Sequence, residues 1–529
     1  MPNIVNLNVT RTVGSAPATL QQTGALVSQG ATNTSIGTYT LLTEYSDLET
    51  LLMTPIAITS IATATGTATV TTASPHGWPV GDTFPVYIQN NSVPAYNGLW
   101  TGTVASTNTI TFSISGSHAS GTGGTIEPES VLELQAMVRT FFDQGTALGV
   151  YVLELGVGSV DQGVAALQTY LDENPNSDYT PGATGYFYGY VVPRTWDGAA
   201  SFLTLLANYE SLTAKTYFFV TTTLATYSNY PPTMKCVFPL IQSPQFGQYS
   251  ANALTAISYS AGVVTATTTT PHGVQPGNWF TISGCTPTGY NGTWLAQSGT
   301  TGSTLVYDVP SDPGVETVLG TLVASLHPNT GAPYTEFSIS SAFYQFLNNT
   351  PSAANRVPPF AYRYVYGVTA FPTRGNNSIL TLLKQNNINV IGTGAEGGLS
   401  NTILTWGTMA DGKDATYWIS VDWVQIASNI ALSAAIINGS NNPQNPLYYD
   451  QPGVNTLQAV EQNVMNTAIE FGLALGPIKV SAIPFVQYVT ANPSDYTSGI
   501  YNGLYVTFTP NRGFIDITLN INVTDFPSA

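Results

Sequence analysis

The sequence predicts a multidomain protein of the α/β and α+β classes that carries two small all-β insertions and extended terminal strands. Three observations lead there: a short β-rich pattern written twice about two hundred residues apart, helix and strand periodicities alternating between the copies, and two long helical runs after the second copy.

Residues 1–20 read as an N-terminal arm, because Val5, Leu7 and Val9 alternate with Asn6, Asn8 and Thr10, the period of a strand with one buried face. Residues 21–54 join residues 127–253 in an α/β domain. Within it Val131, Leu134, Met137, Val138, Phe141 and Phe142 place an apolar face on a helix over Ser130–Gln144, and strand-like Val150–Leu155 follows. Val160, Val164, Leu167 and Leu171 mark a second helix, Tyr186–Val192 a strand, Phe202–Leu212 a third helix and Tyr217–Thr222 another strand. This alternation implies a largely parallel sheet with helices on its faces.

The first insertion spans residues 55–126 and the second, its repeat, residues 254–325. One reads Pro75-His76-Gly77, Gly81-Asp82 and Tyr96-Asn97-Gly98-Leu99-Trp100; the other reads Pro271-His272-Gly273, Gly277-Asn278 and Tyr290-Asn291-Gly292-Thr293-Trp294. Thr/Val-rich runs precede each copy (Ala68–Thr72, Val263–Thr270) and β-like runs follow (Thr109–Ser113, Thr304–Asp308). Pro, Gly and Asn-Gly supply turn dihedrals, so each copy is a small β module. His76 and His272 have no second ligand recurring beside them and read as turn-packing residues; Tyr96/Trp100 and Tyr290/Trp294 read as core, with sugar stacking the alternative.

Residues 326–511 form an α+β domain and 512–529 a C-terminal arm. Phe360–Thr369 is strand-like, Ser378–Asn386 a short helix capped by Ser378, and Asn389–Ile391 a strand. Ile419, Trp423, Ile426, Ile430, Ala434 and Ile437 keep helical spacing, as do Leu457, Val460, Val464, Ala468 and Phe471; Ile478–Val489 and Leu504–Thr509 return to strand. In the final arm Ile515, Ile517, Leu519, Ile521 and Val523 alternate with polar residues.

Composition restricts function. Charged residues make up 8% of the chain, against about 25% in ordinary soluble domains, so little repulsion separates identical copies and self-association is favoured. Net charge is −17 and the twelve basic residues are scattered, which argues against direct nucleic-acid binding. Cys236 and Cys285 are too few for a disulfide framework; one bridge or two buried thiols are open, the thiols favoured. Neither a signal-peptide pattern nor a run of eighteen apolar residues is read, so the expectation is a soluble protein assembled in a cytosol without membrane insertion.

Chemical motifs give no positive sign of catalysis. Gly392-Thr393-Gly394-Ala395-Glu396-Gly397 matches a dinucleotide fingerprint but is followed by a β-like run and reads as a turn. Asp411, Asp414 and Asp422 bracket Trp418 and Trp423 and could be drawn as a glycan hydrolase's carboxylates; acidic residues at a helix N-terminus explain the spacing through the helix dipole. The four histidines, His76, His118, His272 and His327, serve no Gly-x-Ser-x-Gly elbow. No catalytic residue, cofactor or metal ligand is assigned, and the chain is not expected to be an enzyme.

The order of features in the C-terminal half carries a resemblance. A strand ending in a Gly-rich turn (Val390–Gly398), a helix led by Tyr417-Trp418-Ile419-Ser420-Val421-Asp422-Trp423, a second helix entered through Tyr448-Tyr449-Asp450-Gln451-Pro452-Gly453-Val454, and an alternating strand after Arg512-Gly513 together resemble a contractile tail sheath protein of a tailed, myovirus-type bacteriophage. The resemblance extends to the N-terminal segment and to about Ile126–Thr223, and the two modules are similar to immunoglobulin-like insertions of phage structural proteins. It implies a virion subunit stacked in hexameric rings around a tail tube, with the tube, baseplate and tail terminator proteins as further partners, and with contraction driving genome ejection. It also implies terminal arms, carrying Val5, Leu7, Val9, Ile515, Ile517, Leu519, Ile521 and Val523, that pair with neighbouring subunits. The rival from another class is a glycan-binding adhesin using Tyr96/Trp100 and Tyr290/Trp294.

Overall fold

A computed structural model describes residues 19–114, 118–174, 186–211, 213–224, 226–241, 252–272, 274, 279–309, 311–322, 336–349, 351–371, 377–393 and 401–514. The chain divides into two compact units: the first takes residues up to 348, 364–405 and 409–412, and the second takes 349–363, 406–408 and 413 onward.

Unit 1 starts with strand β1 (Gly24–Ser28), buried throughout, and β2 (Tyr39–Leu42). Six strands of the first insertion follow: β3 (Ile56–Ala64), β4 (Thr67–Thr72), β5 (Thr83–Gln89), β6 (Gly98–Ser106), β7 (Thr109–Ser113) and β8 (Thr125–Pro128). The α/β pattern then runs through α1 (Ser130–Asp143), β9 (Val150–Glu154), α2 (Val160–Glu173), β10 (Gly189–Val191), α3 (Ala200–Ala207), β11 (Tyr217–Thr222) and β12 (Val237–Ile241). The main sheet has the order β12-β11-β10-β1-β9-β2, parallel except for the edge strand β2, which runs antiparallel to β9. Counting the parallel strands alone, this is a doubly wound sheet whose order reverses between β1 and β10.

Side-chain periodicity explains the layers. On one face Val164, Leu167 and Leu171 of α2 and Phe202, Leu205 and Leu206 of α3 enter a core with Val27, Leu153, Tyr190 and Phe218. A second face carries aromatic pairs such as Phe141–Phe343 and Tyr188–Phe346, where α1 meets α4 (Ser338–Leu347). Gly24 and Gly189 lie under Phe343, leaving room for that ring against the sheet.

The first insertion is a closed antiparallel barrel, β3-β4-β7-β6-β5-β8. Two separate facing sheets, as in the expected immunoglobulin-like arrangement, are not formed there, because β6 bonds β5 along Gly98–Thr103 and bulges between Val104 and Ser106 to bond β7. The second insertion comprises β13 (Asn252–Ser260), β14 (Val263–Thr268), β15 (Trp279–Ser283), β16 (Gly292–Leu295), β17 (Thr304–Asp308) and β18 (Thr321–Leu322) in the corresponding order β16-β15-β18-β13-β14-β17. Both first hairpins turn through positive φ, at Thr65-Gly66 and Ala261-Gly262, as type I′ connections require.

Unit 1 closes with α5 (Asn377–Gln385), β19 (Val390–Thr393) and β20 (Thr402–Thr405). Ser378 is the second residue of α5, not its cap. Phe360–Thr369 makes one isolated bridge, Tyr364 to Ile403, in place of the expected strand.

Unit 2 is built on two long helices, α6 (Ala415–Ser440) and α7 (Gln451–Glu470). They pack antiparallel: Trp423 near the start of α6 meets Phe471 just beyond α7, and Ser428 donates to Glu461 at 2.8 Å. Short pieces follow: β21 (Ala474–Leu475), β22 (Val480–Ala482), α8 (Phe485–Ala491), α9 (Pro493–Ser498), β23 (Leu504–Val506) and β24 (Thr509–Pro510). The strand expected over Ile478–Val489 is therefore three residues of strand followed, after Pro484, by a helix. The strands pair as two ribbons, β21 with β24 and β22 with β23.

Candidate functional site

Doubly wound sheets offer ligands a crevice at the carboxyl ends of the strands, where the order reverses. Here that edge holds Gln29 after β1, Gly158 after β9, and Pro193 and Thr195 after β10, with Glu129, Ser130 and Glu133 at the start of α1. Thr83, Phe84 and Pro85 of the first barrel roof it, leaving a cavity of about 60 Å³, room for about two waters, where ligand pockets take several hundred Å³.

The roof is bonded down. The Glu129 N–H donates to the Pro85 carbonyl at 3.0 Å, and the Gln162 amide donates to Asp82 at 3.2 Å. Gln162 also closes a capping box with Ser159 at the start of α2, so one side chain fixes both helix and barrel. Below, Gln29 accepts from the Trp196 indole at 2.9 Å and donates to the Gly158 and Ser159 carbonyls at 2.9 and 2.6 Å. Glu154 is the densest node: Ser28 Oγ (2.6 Å), Gly30 N (2.7 Å), Thr32 N (3.1 Å), Thr32 Oγ1 (2.8 Å) and Gly156 N (2.7 Å) all donate to it. Glu133 accepts from the Arg194 N–H at 3.0 Å, and burial, reinforced by the neighbouring Glu129 charge, pushes its pKa up to about 8 against the pull of Arg194. These groups hold loops in place.

The repeated motif proves to be part of the architecture of the two β insertions. Tyr96 and Tyr290 are buried; the Trp100 and Trp294 indoles donate to their carbonyls at 2.8 and 3.1 Å. Asn97 accepts from Asn91 N, and Asn291 from Cys285 N, each at 2.8 Å. Gly98 and Gly292 take φ of 130° and 150°, conformations that favour glycine. His76 Nδ1 accepts from Trp78 N, and His272 Nδ1 from Val274 N, each at 3.0 Å, so both histidines pin their own turns. Trp294 and Tyr290 are enclosed, which removes the stacking face a glycan would need. Cys236 and Cys285 are unpaired and buried.

Asp414 caps α6, accepting from Thr416 N at 2.7 Å, as the dipole reading expects. Asp422 lies two turns into that helix and is fully buried, while Asp411 belongs to unit 1. Val5, Leu7, Val9, Ile515, Ile517, Leu519, Ile521 and Val523 lie outside the described residues, as do residues 394–400 of the glycine-rich turn.

Unit 2 presents surface of another kind. Helix α6 is long and apolar enough, by length and composition, to cross a membrane, which the sequence reading did not anticipate. Its first half, with Trp418, Ile419 and Val424, is buried in the folded chain, so it is not a free-standing span. Its second half carries no charge and exposes Ile430, Ile436 and Ile437 by 45, 49 and 60%. Beyond it, ribbon β22–β23 packs on α7 and is edged by two residues the sequence reading missed. Gln462 accepts from Val480 N at 3.0 Å and donates to the Ile478 carbonyl at 2.9 Å, and Gln458 donates to the Val480 carbonyl at 2.9 Å. Their four-residue spacing on α7 was the available signal.

No family model matches the sequence, and no curated protein matches it. Among solved structures the chain is similar to a sheath tail protein from Listeria innocua, with 11% identity over 94% of this chain and 96% of that one, at a TM-score of 0.35. A superposition at that score settles neither fold nor function.

Proposed function

We propose that the chain is a structural subunit of a contractile bacteriophage tail sheath, a virion component that polymerises as stacked hexameric rings around a tail tube. Contraction of that lattice drives the tube through the host envelope for genome ejection. The observation that carries the reading is the β22–β23 ribbon, a two-stranded sheet at the surface of a charge-poor unit, in a chain whose two arms have strand periodicity. Two strands alone are marginal, and an extended segment from a neighbour completes such a sheet through main-chain hydrogen bonds. The uncharged second half of α6 adds an apolar surface suited to contact between subunits. The roofed crevice in unit 1 fits a load-bearing part better than an enzyme.

Electron microscopy of the purified full-length protein tests this. Long hollow tubes are expected, and a variant lacking residues 513–529 should stay monomeric with intact secondary structure. Compact trimers that bind glycan would favour an adhesin instead, and a truncated protein that still polymerises normally would remove the arms from the account.

A further inference from the structure

One residue separates the first barrel from the helix that follows it. Strand β8 ends at Pro128 and α1 starts at Ser130, so Glu129 is the whole connection, and its N–H also seats the barrel by bonding the Pro85 carbonyl. Gln162 adds its bond to Asp82, and Val157 of the sheet edge packs against the barrel core. Beneath this seat Glu129 and Glu133 lie one helical turn apart, 7% and 2% exposed, both lining the cavity that Phe84 helps to roof. Two carboxyls sharing one buried site do not both ionise at neutral pH, so the pair keeps a proton. Arg194 opposes them, but its guanidinium lies over the Phe337 ring and donates to the Glu336 carbonyl at 3.0 Å, and the Glu336 carboxylate draws on the same charge. The remaining acidic groups bring no relief. Glu127 on β8 faces Tyr87, Asp82 is held by Gln162, and Asp161 on α2 accepts from Ser201 at 2.6 Å.

We infer that the Glu129–Glu133 pair is a proton-operated latch on the first insertion: with one proton between the two carboxyls the barrel stays seated on the sheet edge, and losing it unseats the barrel while both folded parts stay intact. The cavity supplies the coupling. A doubly ionised pair needs water, and about 60 Å³ has room for about two molecules. The barrel is the roof of that space, so hydrating the second charge lifts it. Burial and the Glu129 charge push the Glu133 pKa up to about 8 when seated, against an ordinary 4.5 in water, so the seated form binds a proton that the lifted form releases. Seating is therefore strongest below about pH 4.5, weakens by at most about tenfold per pH unit above it, and levels off beyond about pH 8. The second insertion is an internal control, because matching Leu322 to Ile126 puts Ser325 and Asn329 where the first has its two carboxyls.

Hydrogen exchange of the full-length protein at pH 6 and pH 9, corrected for the intrinsic effect of pH on exchange, reads the latch in a peptide spanning residues 126–133, which contains the Glu129 amide. Protection there should fall at least about tenfold between the two conditions, with about a hundredfold as the ceiling set by two pH units of titration. Peptides covering β4, β7 and the second insertion should not change. Glu133→Gln keeps an acceptor for the Arg194 N–H while removing the second charge, so the fall should shrink below about threefold. Glu129→Gln should act alike and serves if Glu133→Gln misfolds, whereas Glu127→Gln, which alters a residue that moves with the barrel, should leave the fall in place. Equal protection at both pH values in wild type, a fall that survives in the Glu129 and Glu133 variants, or one abolished by Glu127→Gln alone would overturn the latch. Protection lost from β4 and β7 at the same time would mean unfolding in place of lifting, and would overturn it as well.

Discussion

Substituting Glu154 by Gln isolates the node that shapes the carboxyl edge of the main sheet. Oε1 receives two backbone N–H groups, from Gly30 and Gly156, which cannot reverse; Oε2 receives the Thr32 N–H and the hydroxyls of Ser28 and Thr32, which can rotate to accept. The amide –NH₂ therefore settles at the Oε2 position and orphans the Thr32 N–H. An orphaned buried donor costs about 1–3 kcal/mol, and the bonds from Gly30 and Gly156 each lose about 1 kcal/mol when the acceptor becomes neutral. The sum is ~3–5 kcal/mol, or roughly a hundred- to four-thousandfold at about 1.4 kcal/mol per tenfold. Hydrogen exchange read by mass spectrometry reports it: amides in peptides covering 28–32 and 154–157 should exchange at least a hundredfold faster than in wild type, with the two β insertions unchanged. A change of less than threefold would refute the claim that this carboxylate holds the loops.

Three further outcomes are expected. Because burial raises the Glu133 pKa to about 8 and that of Glu127 to about 7, the folded chain holds protons that the unfolded chain releases near pH 4.5, so stability should fall as pH rises through that window, by at most ~1.4 kcal/mol per pH unit per group; Glu133→Gln should flatten the slope in urea titrations, and an unchanged slope would contradict this. Gly30 has φ +86° and an added Cβ would lie 2.7 Å from the Val157 Cα, so Gly30→Ala should lower stability by at least ~2 kcal/mol, read as a shifted urea midpoint; an unshifted midpoint would count against the loop packing. Replacing the second insertion with a Gly/Ser linker should leave the melting temperature of the remainder unchanged, whereas replacing the first should lower it, because Pro85 and Asp82 roof the sheet edge; equal effects would argue against the roof.

What the sequence made legible follows physical lines. Regular periodicity located α1, α2, α6 and α7, and Tyr217–Thr222, Thr109–Ser113 and Thr304–Asp308 coincide with strands to the residue. The central strand β1 escaped because five buried residues flanked by glycine carry no alternation, and β12 because Pro239 interrupts it, tolerable at a sheet edge. Residues 485–489 read as strand from their apolar content, yet belong to α8, which starts directly after Pro484. In both insertions, bonds to Tyr, Asn and Trp explain the repeat. The roofed crevice and the glutamine-closed edge were illegible, since each depends on segments distant in sequence meeting in space.

Imaging tails before and after triggering, with this chain located in the density, tests the central claim most directly. The subunit should occupy the outer cylinder, in six-fold rings that move closer along the axis and widen when the tail contracts. Unchanged ring spacing, or density for this chain lining the central channel, would contradict it.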